Sequence, residues 1–185
     1  TQTLINLGAN PESSFDIYED VQAYYSEVLA KKAAAAAIKK TTIASWKNAN
    51  PALSQKMEMF LSGVLPDLDL SQVVQKANVA TREASSAVLG YLAENLENVI
   101  VSSADLSNSD KTDGFLKKTT VLQKNNFKGA FLQAGVAELT MTAIANGIAL
   151  HGGVVPVVAT FFVFSDYMKP AIRLAAIQEL PVKYV

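Results

Sequence analysis

Glu138 is the one formally charged residue between Lys128 and Asp166, in a run, "FLQAGVAELTMTAIANG" over 131–147, that is otherwise apolar, small or neutral polar. Burying an ionised carboxylate without a partner costs several kcal/mol, so a specific hydrogen bond, a bound proton or contact with water has to compensate it. Two other stretches carry groups that could share a site with it. "SSADLSNSD" supplies Asp105 and Ser109, and "TFFVFSDY" supplies Phe161, Phe164 and Tyr167 at i, i+3, i+6, a spacing that sets three aromatics on roughly one helical face. An aromatic face beside a poorly solvated carboxylate describes a site for a flat, nitrogen-containing ring. Each feature also has a plainer reading. An acid in the first turn of a helix gains up to about 1 kcal/mol from the helix dipole, and an aromatic stripe at helical spacing serves as core. His151, the sole histidine, follows the helix that Glu138 begins and reads as a helix-end residue.

Positioning these groups is the task of alternating strands and helices. "NVATREASSAVLGYLAENL" (78–96) is an amphipathic helix with Asn78 as a plausible N-cap, and "NVIVSSADL" (98–106) is a β-branched strand running into a polar loop. "KGAFLQAGV" (128–136) gives a second strand and "AELTMTAIANGIALHGG" (137–153) a helix closed by glycine. "VVPVVATF" (154–161) is a third strand, "FSDYMKPAIRLAAIQEL" (164–180) a helix, and "PVKYV" (181–185) a fourth strand. Short connections and continuous apolar strands imply βαβ units, hence an α/β three-layer sandwich with a mainly parallel sheet flanked by helices. Ligands of such sheets bind at the carboxyl ends of the strands, where the three candidate loops fall. Residues 1–75 differ in character. They read as a helical, surface-like linker region ahead of a domain over 76–185, with "KKAAAAAIKK" simply a good helix and Pro51, Gly63 and Pro66 marking turns.

Composition narrows the classes of function. The 185 residues are half hydrophobic, ample for a core, and carry a net charge of −1 with no Lys/Arg cluster interleaved with aromatics, which argues against a nucleic-acid partner. Zero cysteines leave no disulfide framework and no Cys-based metal site, and the start lacks a signal-peptide pattern, so the cytoplasm is the expected location. The uncharged run from Leu139 to Phe164 fails as a membrane span because Asn146, His151, Gly152, Gly153 and Pro156 break it well short of the ~20 apolar residues a spanning helix needs.

The stretches "SSADLSNS", "GVAELTMTAIANGIALHGG" and above all "TFFVFSDYMKPAIRLAAIQELPV" resemble the pyrimidine-binding domain of transketolase, a thiamine-diphosphate enzyme. The similarity runs from about Val79 to Val185, and Trp46 to Pro66 is more weakly similar to the linker preceding that domain. The resemblance implies that Glu138 hydrogen-bonds the aminopyrimidine ring of the cofactor and favours the tautomer that forms the reactive carbanion. It implies that Phe161, Phe164 and Tyr167 pack around that ring, Phe161 stacking on it, and that Asp105 and Leu106 touch the cofactor, although Asp105 could equally cap a turn. Arg82 and Ser109 match positions that hold the substrate's phosphate. Ala137 and Leu139 stand where the family usually has Arg and His, and Asn108 and Asp110 where a Pro and an Asn are common.

No Gly-Asp-Gly followed by a downstream Asn occurs, so the resemblance implies that the Mg²⁺ and diphosphate site lies outside this chain. The start without Met and the end at "PVKYV" give the expectation of a C-terminally truncated fragment, inactive in isolation. Its partners would be sugar-phosphate substrates, the diphosphate-binding domain or subunit of the same enzyme, and a second copy in a homodimer, with an apolar surface left exposed on the piece alone. The implied reaction moves a two-carbon ketol unit from a ketose phosphate to an aldose phosphate. Two alternatives stand beside it. One is another thiamine-diphosphate enzyme such as 1-deoxyxylulose-5-phosphate synthase, against which "FSDYMKPAIRLAA" argues; the other is a non-catalytic assembly or regulatory domain.

Overall fold

The structure, a computed structural model, describes residues 1–13 and 15–185. The chain divides into two units, Thr1–Ser54 and Gln55–Val185. In the first, α1 (Gln2–Asn6) precedes α2 (Glu19–Ala49), a helix of 31 residues with no buried side chain. The strong helix formers of "KKAAAAAIKK" and acidic Glu19 and Asp20 in the first turn account for it locally, and the exposed Glu27–Lys31 pair (2.5 Å, i,i+4) adds a few tenths of a kcal/mol at most. At Asn50 the side chain donates back to the Trp46 carbonyl (2.9 Å), and Pro51 then occupies the first position of α3 (Pro51–Leu61), where a missing N–H costs nothing.

The second unit is the α/β body. Its elements are α4 (Thr81–Asn95), β1 (Val99–Ser103), α5 (Ser107–Asp110), α6 (Asp113–Leu116), β2 (Phe131–Gln133), α7 (Glu138–His151), β3 (Val155–Ala159), α8 (Ser165–Ile177) and β4 (Lys183–Tyr184). The strands form one sheet in the order β2-β1-β3-β4, and every pairing is parallel. β1 and β3 alternate their side chains between two apolar layers. Val99, Val101 and Val157 meet Leu89 and Leu96 from α4 and the segment after it, together with Phe115 and Phe131, on one face. Val158 meets Met141, Ala145 and Met168 of α7 and α8 on the other, with Ala104 and Val182. The expected three-layer sandwich is therefore present, with an all-parallel sheet.

Two local expectations fail. Asn78 does not cap α4: it adopts a left-handed conformation (φ 58°), and the helix starts at Thr81 with Ala80 at the N-cap position and no side-chain cap bond. Asn is among the few non-glycine residues that tolerate that region, so it turns the chain rather than capping it. The second strand is three residues, not nine, because Ala130 donates to the Thr120 carbonyl (3.0 Å) and Leu122 donates to that of Phe131 (2.8 Å), while Gly135 (φ 68°) ends the extended run. Among the described residues no helix is long and apolar enough to cross a membrane; the uncharged run divides into α7 and β3.

Candidate functional site

α7 buries Glu138, Met141, Thr142, Ala145 and Asn146, the i, i+3, i+4, i+7, i+8 stripe of an amphipathic helix. Glu138 is the first residue of that stripe, so the periodicity that packs the helix also draws the carboxylate inward, to 7% exposure. Its main-chain carbonyl accepts from Thr142 Oγ1 (2.8 Å), which fixes the first turn. No donor among the described residues reaches the carboxylate itself, and its oxygens are not sealed from solvent. At the far end His151 lies in the last turn, exposed, with Nδ1 3.1 Å from the Gly152 carbonyl, and Gly152 (φ 78°) closes the helix as expected.

Strand order decides which loops gather. β1 leads to β2 on one side, and α7 then carries the chain back across to β3 on the other, so the order reverses between β1 and β3. Carboxyl ends on either side of such a reversal part into a crevice, the usual ligand position in open α/β sheets. The register is level there, with Ser103 opposite Gln133 on one side and Ala159 on the other. A cavity of about 320 Å³ opens at this crevice, walled by Thr81, Arg82, Ser85, Asp110, Thr160 and Phe161. Arg82 is exposed and makes no ion pair among the described residues, whereas its neighbour Glu83 pairs with Lys111 (3.2 Å). Thr160 Oγ1 is sealed from solvent without a partner, the sole such side-chain atom among the described residues. A larger cavity of about 860 Å³ beside α4 contains none of the predicted site residues.

The aromatics resolve differently from a single helical face. Phe161 precedes a 3₁₀ turn over Phe162–Phe164, and α8 starts only at Ser165. Three residues per turn eclipse positions i and i+3. Phe161 and Phe164 accordingly stack, ring centroids 6.3 Å apart and planes within 13°. Tyr167 belongs to the first turn of α8, is 63% exposed and touches neither ring, which corrects the expected three-ring face. Asp105 is exposed in a left-handed conformation (φ 62°) and its side chain caps nothing among the described residues, Leu106 is half-buried, and Ser109 is exposed. Arg82 and Phe161 thus share a cavity, Phe164 backs Phe161, and Asp105, Leu106, Ser109 and Glu138 stand at the same end of the sheet outside that cavity's wall.

Besides Arg82 and Phe161 the wall has residues that no motif marked as site residues, and the hydrogen bonding of two of them, Asp110 and Thr160, stands out. Asp110 accepts from Ser103 Oγ (2.6 Å), Thr112 N (3.0 Å) and Thr112 Oγ1 (2.8 Å) while 7% exposed. Its Asp-x-Thr spacing is that of an Asx turn, a signal available in the sequence. Thr160 carried none, since only packing shows a hydroxyl to be unpaired.

Fold and strand order together define an open parallel α/β domain with a topological switch point between β1 and β3. Residues 77–185 match the transketolase pyrimidine-binding domain, and the chain belongs to that family. The transketolase of Halalkalibacterium halodurans is 40% identical over 178 residues, covering 94% of this chain and 26% of the relative. Among solved structures, transketolase from Leishmania mexicana superposes with a TM-score of 0.82 at 29% identity, over 97% of this chain and 27% of that one. A Pichia stipitis transketolase in complex with sedoheptulose-7-phosphate gives 0.80 at 31% identity, over 99% and 28%. The chain therefore spans about a quarter of the length of the curated relatives it matches.

Proposed function

We propose that this chain supplies the pyrimidine-binding half of the cofactor site in a transketolase, which transfers a two-carbon ketol unit from a ketose phosphate to an aldose phosphate. The observation that carries the reading is a buried carboxylate, Glu138, to which the described residues offer no donor, at the same end of the sheet as the stacked Phe161–Phe164 pair. A flat ring with a protonated nitrogen answers both: its edge supplies the donor and its face the stacking partner. When bound, thiamine diphosphate supplies the electron sink for making and breaking the carbon–carbon bond beside a carbonyl.

The residues of this chain bind and position. Glu138 holds a proton shared with the ring nitrogen, and the water-poor setting of its helix start strengthens that bond. Phe161 stacks on the ring, Phe164 supports Phe161, and Tyr167 is assigned to the rim. Asp105 and Leu106 contact the cofactor from the loop after β1. Arg82, which makes no ion pair among the described residues, takes the substrate phosphate together with Ser109. Residues 76–185 form the binding domain and residues 1–75 the linker. Diphosphate and Mg²⁺ belong to another domain of the same enzyme or to the second subunit of a homodimer, and the enzyme is cytoplasmic. The exposed Leu139 and Leu150, which helical spacing places on one side of α7, suit that contact between subunits.

The test uses the full-length protein that carries this chain, loaded with thiamine diphosphate and Mg²⁺. Transfer from a ketose phosphate to an aldose phosphate is the expected result. Turnover that instead requires pyruvate as donor would assign a 1-deoxyxylulose-5-phosphate synthase. Calorimetry without any cofactor binding would leave a non-catalytic domain, the reading that Ala137 and Leu139 beside Glu138 favour.

A further inference from the structure

We propose that Asp110 is a positioning residue that holds the loop after β1, residues 104–109, in its ligand-receiving shape; the inference rests on the function proposed above. The side chains of Asp105 and Ser109 are exposed and make no hydrogen bond among the described residues, so their places are set by backbone alone. That backbone is improbable unaided. Asp105 (φ 62°) and Lys111 (φ 69°) both occupy the left-handed region, which side chains other than glycine populate sparingly.

What keeps the loop in place is a chain of hydrogen bonds ending on one carboxylate. Leu106 N–H donates to Ser103 Oγ (3.1 Å), Ser103 Oγ–H donates to Asp110 Oδ2 (2.6 Å), and Asp110 Oδ1 accepts from both the N–H (3.0 Å) and the hydroxyl (2.8 Å) of Thr112. Ser103 and Thr112 are 2% and 0% exposed, so the donors have no water to turn to if the acceptor goes. The bonds run from the last residue of β1 to the start of α6 and close a ring around Asp105, Leu106 and Ser109. Beyond the ring, Lys111 pairs with Glu83 of α4 (3.2 Å), next to Arg82, so the loop and the proposed phosphate-binding cation are held to each other. Asp110 also walls the cavity that contains Arg82 and Phe161. It contacts no reacting atom in this scheme; it acts through the residues it holds.

The test compares Asp110→Ala, Asp110→Asn and Thr112→Val in the full-length protein by residue-resolved hydrogen exchange, cofactor affinity and steady-state kinetics. In Asp110→Ala the amides of Leu106, Ser109 and Thr112 should exchange about tenfold faster or more while those of α8 keep their protection. The KM for the sugar phosphate and the dissociation constant of thiamine diphosphate should rise by a similar factor, more than kcat falls. Asp110→Asn should restore most of this, because the amide oxygen still accepts from Thr112 and the amide nitrogen donates to Ser103 Oγ, whose hydroxyl rotates. Thr112→Val, which leaves Asp110 bonded to Ser103, should show a smaller change of the same kind and serves alone if Asp110→Ala does not fold. Unchanged loop exchange in Asp110→Ala, or in Thr112→Val where that variant serves alone, overturns the proposal. So do a KM and a cofactor affinity per folded site within twofold of wild type in a protein that is merely less stable. If the wild type neither binds cofactor nor transfers, the functional assignment fails, and loop exchange still decides the role of Asp110.

Discussion

Replacing Glu138 by Gln separates the catalytic from the structural reading of that carboxylate, because the two predict opposite pairs of results. Gln keeps the shape and the hydrogen-bonding edge but removes the charge and the ability to hold the proton. The structure sets the stability side of the balance. Glu138 opens α7, so loss of its charge forfeits a helix-dipole interaction of about 0.3–1 kcal/mol. It is 7% exposed with no donor among the described residues, but its oxygens still reach solvent, so the desolvation relieved by the same change is of comparable size at most. The net effect should be within about 1 kcal/mol of zero. The catalytic side is much larger. A positioned proton-transfer group contributes about 10²–10⁴ in rate, or roughly 3–5 kcal/mol of barrier, so turnover should fall by that factor. Thermal unfolding and two-carbon transfer measured on one preparation of the full-length protein give both numbers. Near-normal turnover would refute the assignment of Glu138, and a loss of several kcal/mol of stability would show that the fold does supply the carboxylate with a partner.

Two further outcomes follow from packing and charge. Gly129→Ala should destabilise the protein by about 3 kcal/mol, read as a lowered Tm, because a Cβ there would lie 2.3 Å from the Val121 carbonyl oxygen and 2.6 Å from the Leu122 nitrogen, backbone atoms that cannot rotate away. A Tm within a degree or two of wild type would mean that the 120–131 pairing yields without cost. Burial raises the Tyr184 hydroxyl above its ordinary pKa of 10.0, and that hydroxyl stands 3.4 Å from Asn146 Oδ1. The unfolded chain then loses this proton first, so the Tyr184 contribution is full below pH ~10 and is lost as pH rises from there through the folded value. Tyr184→Phe should abolish that part of the alkaline decline in urea-melt midpoints, and an unchanged slope would remove Tyr184 from the account.

Much of this protein was legible in the order of its residues. Alternation of "NVIVSS", "AFLQ" and "VVPVVA" with amphipathic segments fixed the α/β class, and the lone charge in an uncharged run singled out Glu138. The stripe Glu138, Met141, Thr142, Ala145 even states which way that carboxylate must face. These are local facts: periodicity of 2 or 3.6, turn residues and the cost of burying charge act between neighbours in the chain. Where local signals compete, the sequence is ambiguous, as at Asn78, equally suited to a helix cap and to a left-handed turn, and at Phe161 to Tyr167, where a 3₁₀ turn rather than an α-turn sets which rings meet.

The tertiary structure alone decided the rest. Nothing local says that the sheet runs β2-β1-β3-β4, yet that order places the crevice between β1 and β3 and so brings Arg82, Asp110, Thr160 and Phe161, spread over eighty residues of chain, around one cavity. The Asp-x-Thr spacing announces the bonds from Thr112 to Asp110, but no spacing reveals the third, from Ser103, or that the Thr160 hydroxyl has no partner among the described residues. Composition and periodicity dictate which faces are buried, whereas strand order and loop neighbours follow from how whole layers pack. A site assembled from the ends of separate strands exists only once that packing is complete.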